Sequence, residues 1–239
     1  MINAKKMVVS DYDQTFYIND IDIEKNKMAV SEFESKGNIF IIATGRSYLD
    51  FKYKAEAYNI NYNYVILNHG ATIIDSNDNV IYNCPIDHKI ISKIKDEIDI
   101  QKTVNFFCCS ALEKGVDIDC NNLTKIHIRY NTREEAMEVS NLLNSKFSQY
   151  ITSYWLMGDS VEIISNNTNK SNAIRLLAQK FNINDEDIYT IGDGFSDVEM
   201  VKKFNGYCME ESVEELKKVA IKEYKSVSEL IVEVMWNLK

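Results

Sequence analysis

Lys6-Met7-Val8-Val9-Ser10-Asp11-Tyr12-Asp13-Gln14-Thr15 sets an apolar run of strand length directly before two acids. Such a run reads as a buried strand, so both carboxylates leave its carboxyl end together. Ligands of open α/β sheets bind at that edge. Two neighbouring acids repel, and a hard cation with oxygen ligands such as Mg²⁺ relieves the repulsion. A solvated acidic turn is the bland alternative, and this stretch alone leaves both readings open.

Working outward, apolar runs of strand length alternate with segments of helical period, the pattern of a mostly parallel sheet covered by helices. Further strands are expected at 38–43, 64–67 and 187–191, with helices around 24–36, 47–58, 212–220 and 227–237. The stretch 169–181 carries Ala173, Leu176, Leu177 and Phe181 at helical spacing. The middle of the chain differs. A hairpin over 73–82 precedes the single proline, Pro85. Beyond it a helix (87–98), strands (102–108 and 124–130), a helix (132–145) and strands (150–157 and 160–164) follow one another. This mixture predicts a small α+β unit inserted into an α/β domain. The expected division is a discontinuous core of 1–80 and 163–239 and an insert of 81–162.

Three more polar clusters sit where strands end. Thr44-Gly45-Arg46-Ser47 closes the second strand and opens a helix, placing a hydroxyl and backbone amides where they can hold phosphate or simply cap the helix. Lys170 begins a helix, where a cation opposes the macrodipole; a bound anion would supply the reason. Gly192-Asp193-Gly194-Phe195-Ser196-Asp197 again puts acids just past an apolar strand, and it lacks the glycine spacing of a dinucleotide fingerprint.

Composition narrows the function. With 27 Lys plus Arg against 36 Asp plus Glu, the formal net charge is −9, which argues against nucleic acid or an anionic membrane surface as partner. No apolar stretch approaches the roughly 18 residues of a membrane span, and no long apolar run follows the opening residues, so a cytoplasmic location is expected. Five cysteines form no Cys-x-x-Cys pair, which suggests neither a zinc site nor a disulfide framework. Cys108 and Cys109 read as alternating faces of one strand.

Taken together, these clusters make the chain resemble the haloacid dehalogenase superfamily, whose four motifs match Asp11-x-Asp13-x-Thr15, Thr44, Lys170 and Gly192-Asp193-x-x-x-Asp197. Asn68-His69-Gly70-Ala71 and Ser226-Val227-Ser228-Glu229-Leu230 look like stretches of its Cof-like branch, as does a cap inserted between the second and third motifs. Gln14 stands where that branch usually has glycine, His69 splits its Asn-Gly pair, Ser196 replaces a common asparagine, and Cys208-Met209-Glu210-Glu211 departs from its small-residue stretch.

The resemblance implies a Mg²⁺-dependent phosphatase acting on a small phosphate monoester, such as a sugar phosphate or a phosphorylated cofactor. Asp11 would be the nucleophile and Asp13 the general acid and base. Mg²⁺ would be held by Asp11, Asp193 and the carbonyl of Asp13, with Asp197 in or near the outer shell. Thr44 and Lys170 would hold the phosphoryl oxygens, beside Gly45 and Arg46. A phosphomutase or phosphotransferase would use the same intermediate, a receiver-type signalling domain combines similar residues, and a non-catalytic phosphate-binding module is the bland rival. Asn105, His127, Tyr154, Trp155 and Met157 are candidates for selecting substrate, but aromatics on alternating strands are more often core, and no site is assigned to them. A monomer or small homo-oligomer is expected.

Overall fold

The computed structural model describes residues 5–156 and 158–236; Met1 to Ala4, Met157 and Asn237 to Lys239, included in the readings above, lie outside them. In chain order the elements begin β1 (Met7–Ser10), α1 (Asp20–Ser35), β2 (Ile39–Ala43), α2 (Tyr48–Ala57), β3 (Tyr64–Leu67), β4 (Thr72–Asp75) and β5 (Val80–Asn83). They continue α3 (His88–Glu97), β6 (Asn105–Cys109), β7 (Lys114–Val116), β8 (Lys125–Arg129), α4 (Arg133–Phe147), β9 (Ile151–Trp155) and β10 (Ser160–Ser165). The chain ends with α5 (Lys170–Phe181), β11 (Ile188–Gly192), α6 (Val198–Lys203), β12 (Asn205–Met209), α7 (Glu214–Lys217), β13 (Glu223–Tyr224) and α8 (Val227–Trp236). It falls into two compact units, Met1–Thr44 with Ile60–Ile66 and Lys170–Lys239, and Gly45–Asn59 with Leu67–Asn169.

The first unit is built on a parallel sheet in the order β13-β12-β11-β1-β2-β3. Every residue of β1 and β2 is buried, as expected of strands covered on both faces by helices. From β1 the chain steps outward to β2 and β3 on one side, and later to β11, β12 and β13 on the other. The order therefore reverses between β1 and β11, and crevices for ligands open at the carboxyl ends there. Parallel register pairs Ser10 with Ile191, so Asp11 and the Gly192-Asp193 turn emerge side by side.

The second unit holds the β4–β5 hairpin and an antiparallel sheet in the order β7-β6-β8-β10-β9. One face of that sheet packs Ile126, Ile128, Val161 and Ile163 against Ile90, Ile91 and Ile94 of α3 and against Ala136 and Leu143 of α4. Strand alternation then sends Lys125, His127 and Glu162 to the other face. Cys108 and Cys109 are both fully buried, and burial pushes their thiols up to about 12 and about 11, which leaves them unreactive.

Some sequence expectations needed correction. The helix expected at 212–220 is only Glu214–Lys217. Leu176 turns outward, and Ile174 takes its place in the buried stripe of α5. Strands β7, β12 and β13 were not anticipated, since each is short or interrupted by glycine and polar residues.

Candidate active site

After β1 the chain coils tightly: Phe16 N–H donates to the Asp11 carbonyl and Tyr17 N–H to that of Tyr12. Both are i to i+5 bonds, which wind the chain into a tight turn. The coil requires Gln14 to take a left-handed backbone, φ 57°. Its result is that Asp11 is buried at the strand end while Asp13, two residues on, is half-buried.

Asp11, Asp193 and Asp197 each place a carboxylate oxygen within 4.8 Å of the others. Lys170, 1% exposed, donates from Nζ to Oδ1 of Asp11 and, at 2.6 Å, to Oδ1 of Asp197. The two carboxylates are thus the anions that justify a cation at the start of α5. Asp197 also accepts the backbone N–H groups of Asp193 and Gly194 at its Oδ2, 3.1 and 3.0 Å away. A Cβ on Gly192 would lie 2.4 Å from Asp197 Cγ, so only glycine lets that carboxylate sit under the turn. Thr15 donates from Oγ1 to Asp193 Oδ1 at 2.7 Å, a tie across 178 residues that the motif reading had not foreseen.

The electrostatics follow from crowding. Burial raises Asp11 well above the usual carboxylate range, the Lys170 ammonium pulls it down, and Asp197 and Asp193 push it up again. Burial and the Asp197 charge push Asp193 up to about 6, with Asp13 adding to the rise. Lys170 is held above the ordinary lysine value: burial disfavours its charge, but Asp11 and Asp197 outweigh that. Three acids against one ammonium leave excess negative charge, and the donors are all hard oxygens. Such a set fits a divalent cation of the Mg²⁺ kind. Asp13 is not among the three converging carboxylates.

Thr44 is buried at the end of β2, its N–H bonded to the Ile66 carbonyl at 2.8 Å. Gly45 and Arg46 follow it in the chain and belong to the second unit, where the Gly45 carbonyl accepts from Lys125 Nζ at 2.6 Å and the Arg46 carbonyl from Asn68 N–H at 3.0 Å. Ser47 is the N-cap of α2, as one sequence reading allowed. Nothing local in the sequence marks Lys125 or Glu162 as a site residue, since charges alternating along a strand ordinarily face water.

A family model described as haloacid dehalogenase-like hydrolase matches residues 8–116 and 112–231. A Buchnera aphidicola protein provisionally named a phosphatase is 24% identical over 232 residues, spanning 85% of each chain. The 5-amino-6-(5-phospho-D-ribitylamino)uracil phosphatase YcsE of Bacillus subtilis is 22% identical, over 83% of this chain and 80% of its own. Among solved structures, a haloacid dehalogenase-like hydrolase from Bacillus subtilis superposes with a TM-score of 0.79 at 17% identity, covering 98% of this chain and 100% of the other. One from Bacteroides thetaiotaomicron gives 0.78 at 16%, covering 96% and 99%. The four motifs, the carboxylate cluster at the sheet's reversal point and a family match running through both units lead to one assignment: the chain belongs to the haloacid dehalogenase-like hydrolases.

Proposed function

We propose that this protein is a phosphatase that hydrolyses a small phosphate monoester through an aspartyl-phosphate on Asp11, with Mg²⁺ as cofactor. The observation that carries the reading is the convergence of the Asp11, Asp193 and Asp197 carboxylates at the carboxyl ends of β1 and β11, with the buried Asp11 and Asp197 both bonded to one ammonium, Lys170. The phosphatase names of the curated relatives support it. The cap of this reading is 81–162, inserted in a core of 1–80 and 163–239.

An Asp11 oxygen attacks phosphorus, forming one P–O bond as the bond to the leaving alcohol oxygen breaks. Asp13 gives that oxygen its proton, then takes one from the water that attacks the aspartyl-phosphate and frees Asp11 and inorganic phosphate. Thr44 and Lys170 hold the phosphoryl oxygens, with Gly45 and Arg46 continuing the turn after Thr44. A divalent cation held by Asp11, Asp193 and the carbonyl of Asp13, with Asp197 in or near its outer shell, would neutralise charge on the transferring group. The reading carries with it a phosphorylated metabolite as partner and a cytoplasmic setting.

The test is Asp11→Asn, assayed on a panel of phosphorylated metabolites with Mg²⁺ and with chelator. Turnover should vanish while circular dichroism stays that of the wild type. Undiminished hydrolysis by the variant would remove Asp11 as nucleophile.

A further inference from the structure

Within the second unit, one carboxylate gathers three basic side chains. Glu162 lies 2.7 Å from Lys125 Nζ and 3.1 Å from His127 Nδ1 at its Oε1, and 2.5 Å from His69 Nε2 at its Oε2. Glu162, Lys125 and His69 are 6, 2 and 4% exposed. Register explains the gathering: Glu162 is paired with His127 across β10 and β8 and with Tyr154 across β10 and β9, and the Tyr154 ring lies against His69, centroids 4.9 Å apart. A carboxylate so enclosed stays charged only because cations and donors surround it.

Two of its partners converge on one residue of another element. Lys125 reaches past Glu162 to the Gly45 carbonyl, 2.6 Å away. His69 covers the other side of Gly45: a Cβ there would be 2.3 Å from its Cε1 and 2.5 Å from its Nε2. His69 holds this place in a left-handed backbone, φ 55°, a conformation that costs a non-glycine residue about 1–2 kcal/mol. Its bond to Glu162 helps to offset that cost. Gly45 is therefore gripped at its carbonyl and at its Cα by side chains tied to the same carboxylate.

A peptide is planar and trans, so its C=O and the following N–H point in opposite directions. Holding the Gly45 carbonyl on Lys125 sets the direction of the Arg46 N–H as well. This is the second peptide after Thr44, in the turn that leads to the Ser47 cap of α2, and backbone amides where a turn enters a helix can hold phosphate. We infer that Glu162, Lys125 and His69 are positioning residues that fix the Gly45–Arg46 peptide for phosphoryl binding. The inference rests on the phosphatase reading for its consequence, and on geometry alone for the clamp.

The test compares wild type, Lys125→Met and Lys125→Arg with para-nitrophenyl phosphate as substrate and inorganic phosphate as inhibitor, in Mg²⁺. Loss of a donor that binds ground state and transition state alike raises KM and spares kcat. Lys125→Met should raise KM and the phosphate inhibition constant together by tenfold or more, with kcat changed less than threefold, and Lys125→Arg should recover most of the loss. An unchanged phosphate inhibition constant in Lys125→Met overturns the inference and leaves the phosphatase reading intact. Absence of turnover in the wild type sinks that reading instead, and the clamp is then judged by a crystal structure of Lys125→Met. A Gly45 carbonyl turned from its wild-type direction supports it; an unmoved one refutes it. Should Lys125→Met not fold, Glu162→Asp, which draws the carboxylate back by one methylene, takes its place in both measurements with the same expected results.

Discussion

Lys170 and Asp197 form a buried pair, Nζ to Oδ1 at 2.6 Å, whose carboxylate also carries the amides of the Asp193-Gly194 turn on its other oxygen. Asp197 is thus a strut between α5 and the turn after β11, and Lys170 is the ammonium that lets three acids share one crevice.

Lys170→Met removes the one cation that, among the described residues, lies within hydrogen-bonding distance of Asp11 and Asp197. Unpairing buried charges in this way costs about 3–5 kcal/mol. Urea unfolding at pH 7 should show a loss of that order, and turnover should fall at least about a hundredfold. The stability loss should shrink on acidification, as Asp11, raised well above the usual carboxylate range by burial, takes up a proton. A variant as stable as the wild type at pH 7 would mean that the cluster sheds its charge by other means.

Metal affinity should climb between pH 5 and pH 7. Asp193, pushed up to about 6 by burial and by Asp197, holds its proton below that pH, and a ligand must lose its proton to bind metal. The sign for the metal-free protein is the reverse: a carboxylate raised by folding stabilises most at low pH, and this contribution fades as pH rises through about 6. Calorimetric titration with Mg²⁺ at several pH values checks the first. Saturation at one hundred times Kd should add about 2.7 kcal/mol to stability at pH 7.

Glu162 predicts the opposite trend in the second unit. Burial alone would raise its pKa, but Lys125, His127 and His69 together hold it well below the ordinary 4.5. A carboxylate lowered by folding stabilises fully above its unfolded value, and the contribution is lost as pH falls below about 4.5 toward the folded value. Glu162→Gln should therefore cost about 3–5 kcal/mol at pH 7, and the gap to wild type should narrow on acidification below pH 4.5. Trp155 fluorescence during urea unfolding, read in a Trp236→Phe background, follows this unit. A gap that stays constant down to pH 3 would contradict the lowered pKa.

Gln14 is exposed and left-handed, φ 57°. Glycine relieves roughly 1–2 kcal/mol of backbone strain there but loses about 0.5–1 kcal/mol through its freer unfolded chain. Gln14→Gly should be neutral or stabilising by up to about 1 kcal/mol in thermal unfolding. Clear destabilisation would point to a contact made by the Gln14 side chain.

Much of the architecture was legible because it is local. Apolar runs located the inner strands β1, β2, β3 and β11, whose burial on both faces leaves no ambiguity of register with solvent. The acids, threonine and lysine were found because each directly follows a strand or begins a helix. Periodicity, however, reports which face is apolar and not which residue the polar face will meet. Leu176 and Ile174 fit the same helical stripe nearly equally, and only packing chose between them.

By itself, then, the sequence determined an α/β chain carrying carboxylates, a hydroxyl and a lysine at strand and helix ends, since those features depend on neighbours a few residues away. Tertiary structure alone decided that Asp11, Asp193 and Asp197 converge while Asp13 stands outside their cluster, because parallel pairing of β1 with β11 sets Met7 beside Ile188 and Ser10 beside Ile191, far apart in the chain. It also decided that Lys125, bonded to the buried Glu162 of a neighbouring strand, reaches the Gly45 carbonyl: a buried charge is tolerable only where partners from distant parts of the chain meet it, and no local pattern records that meeting.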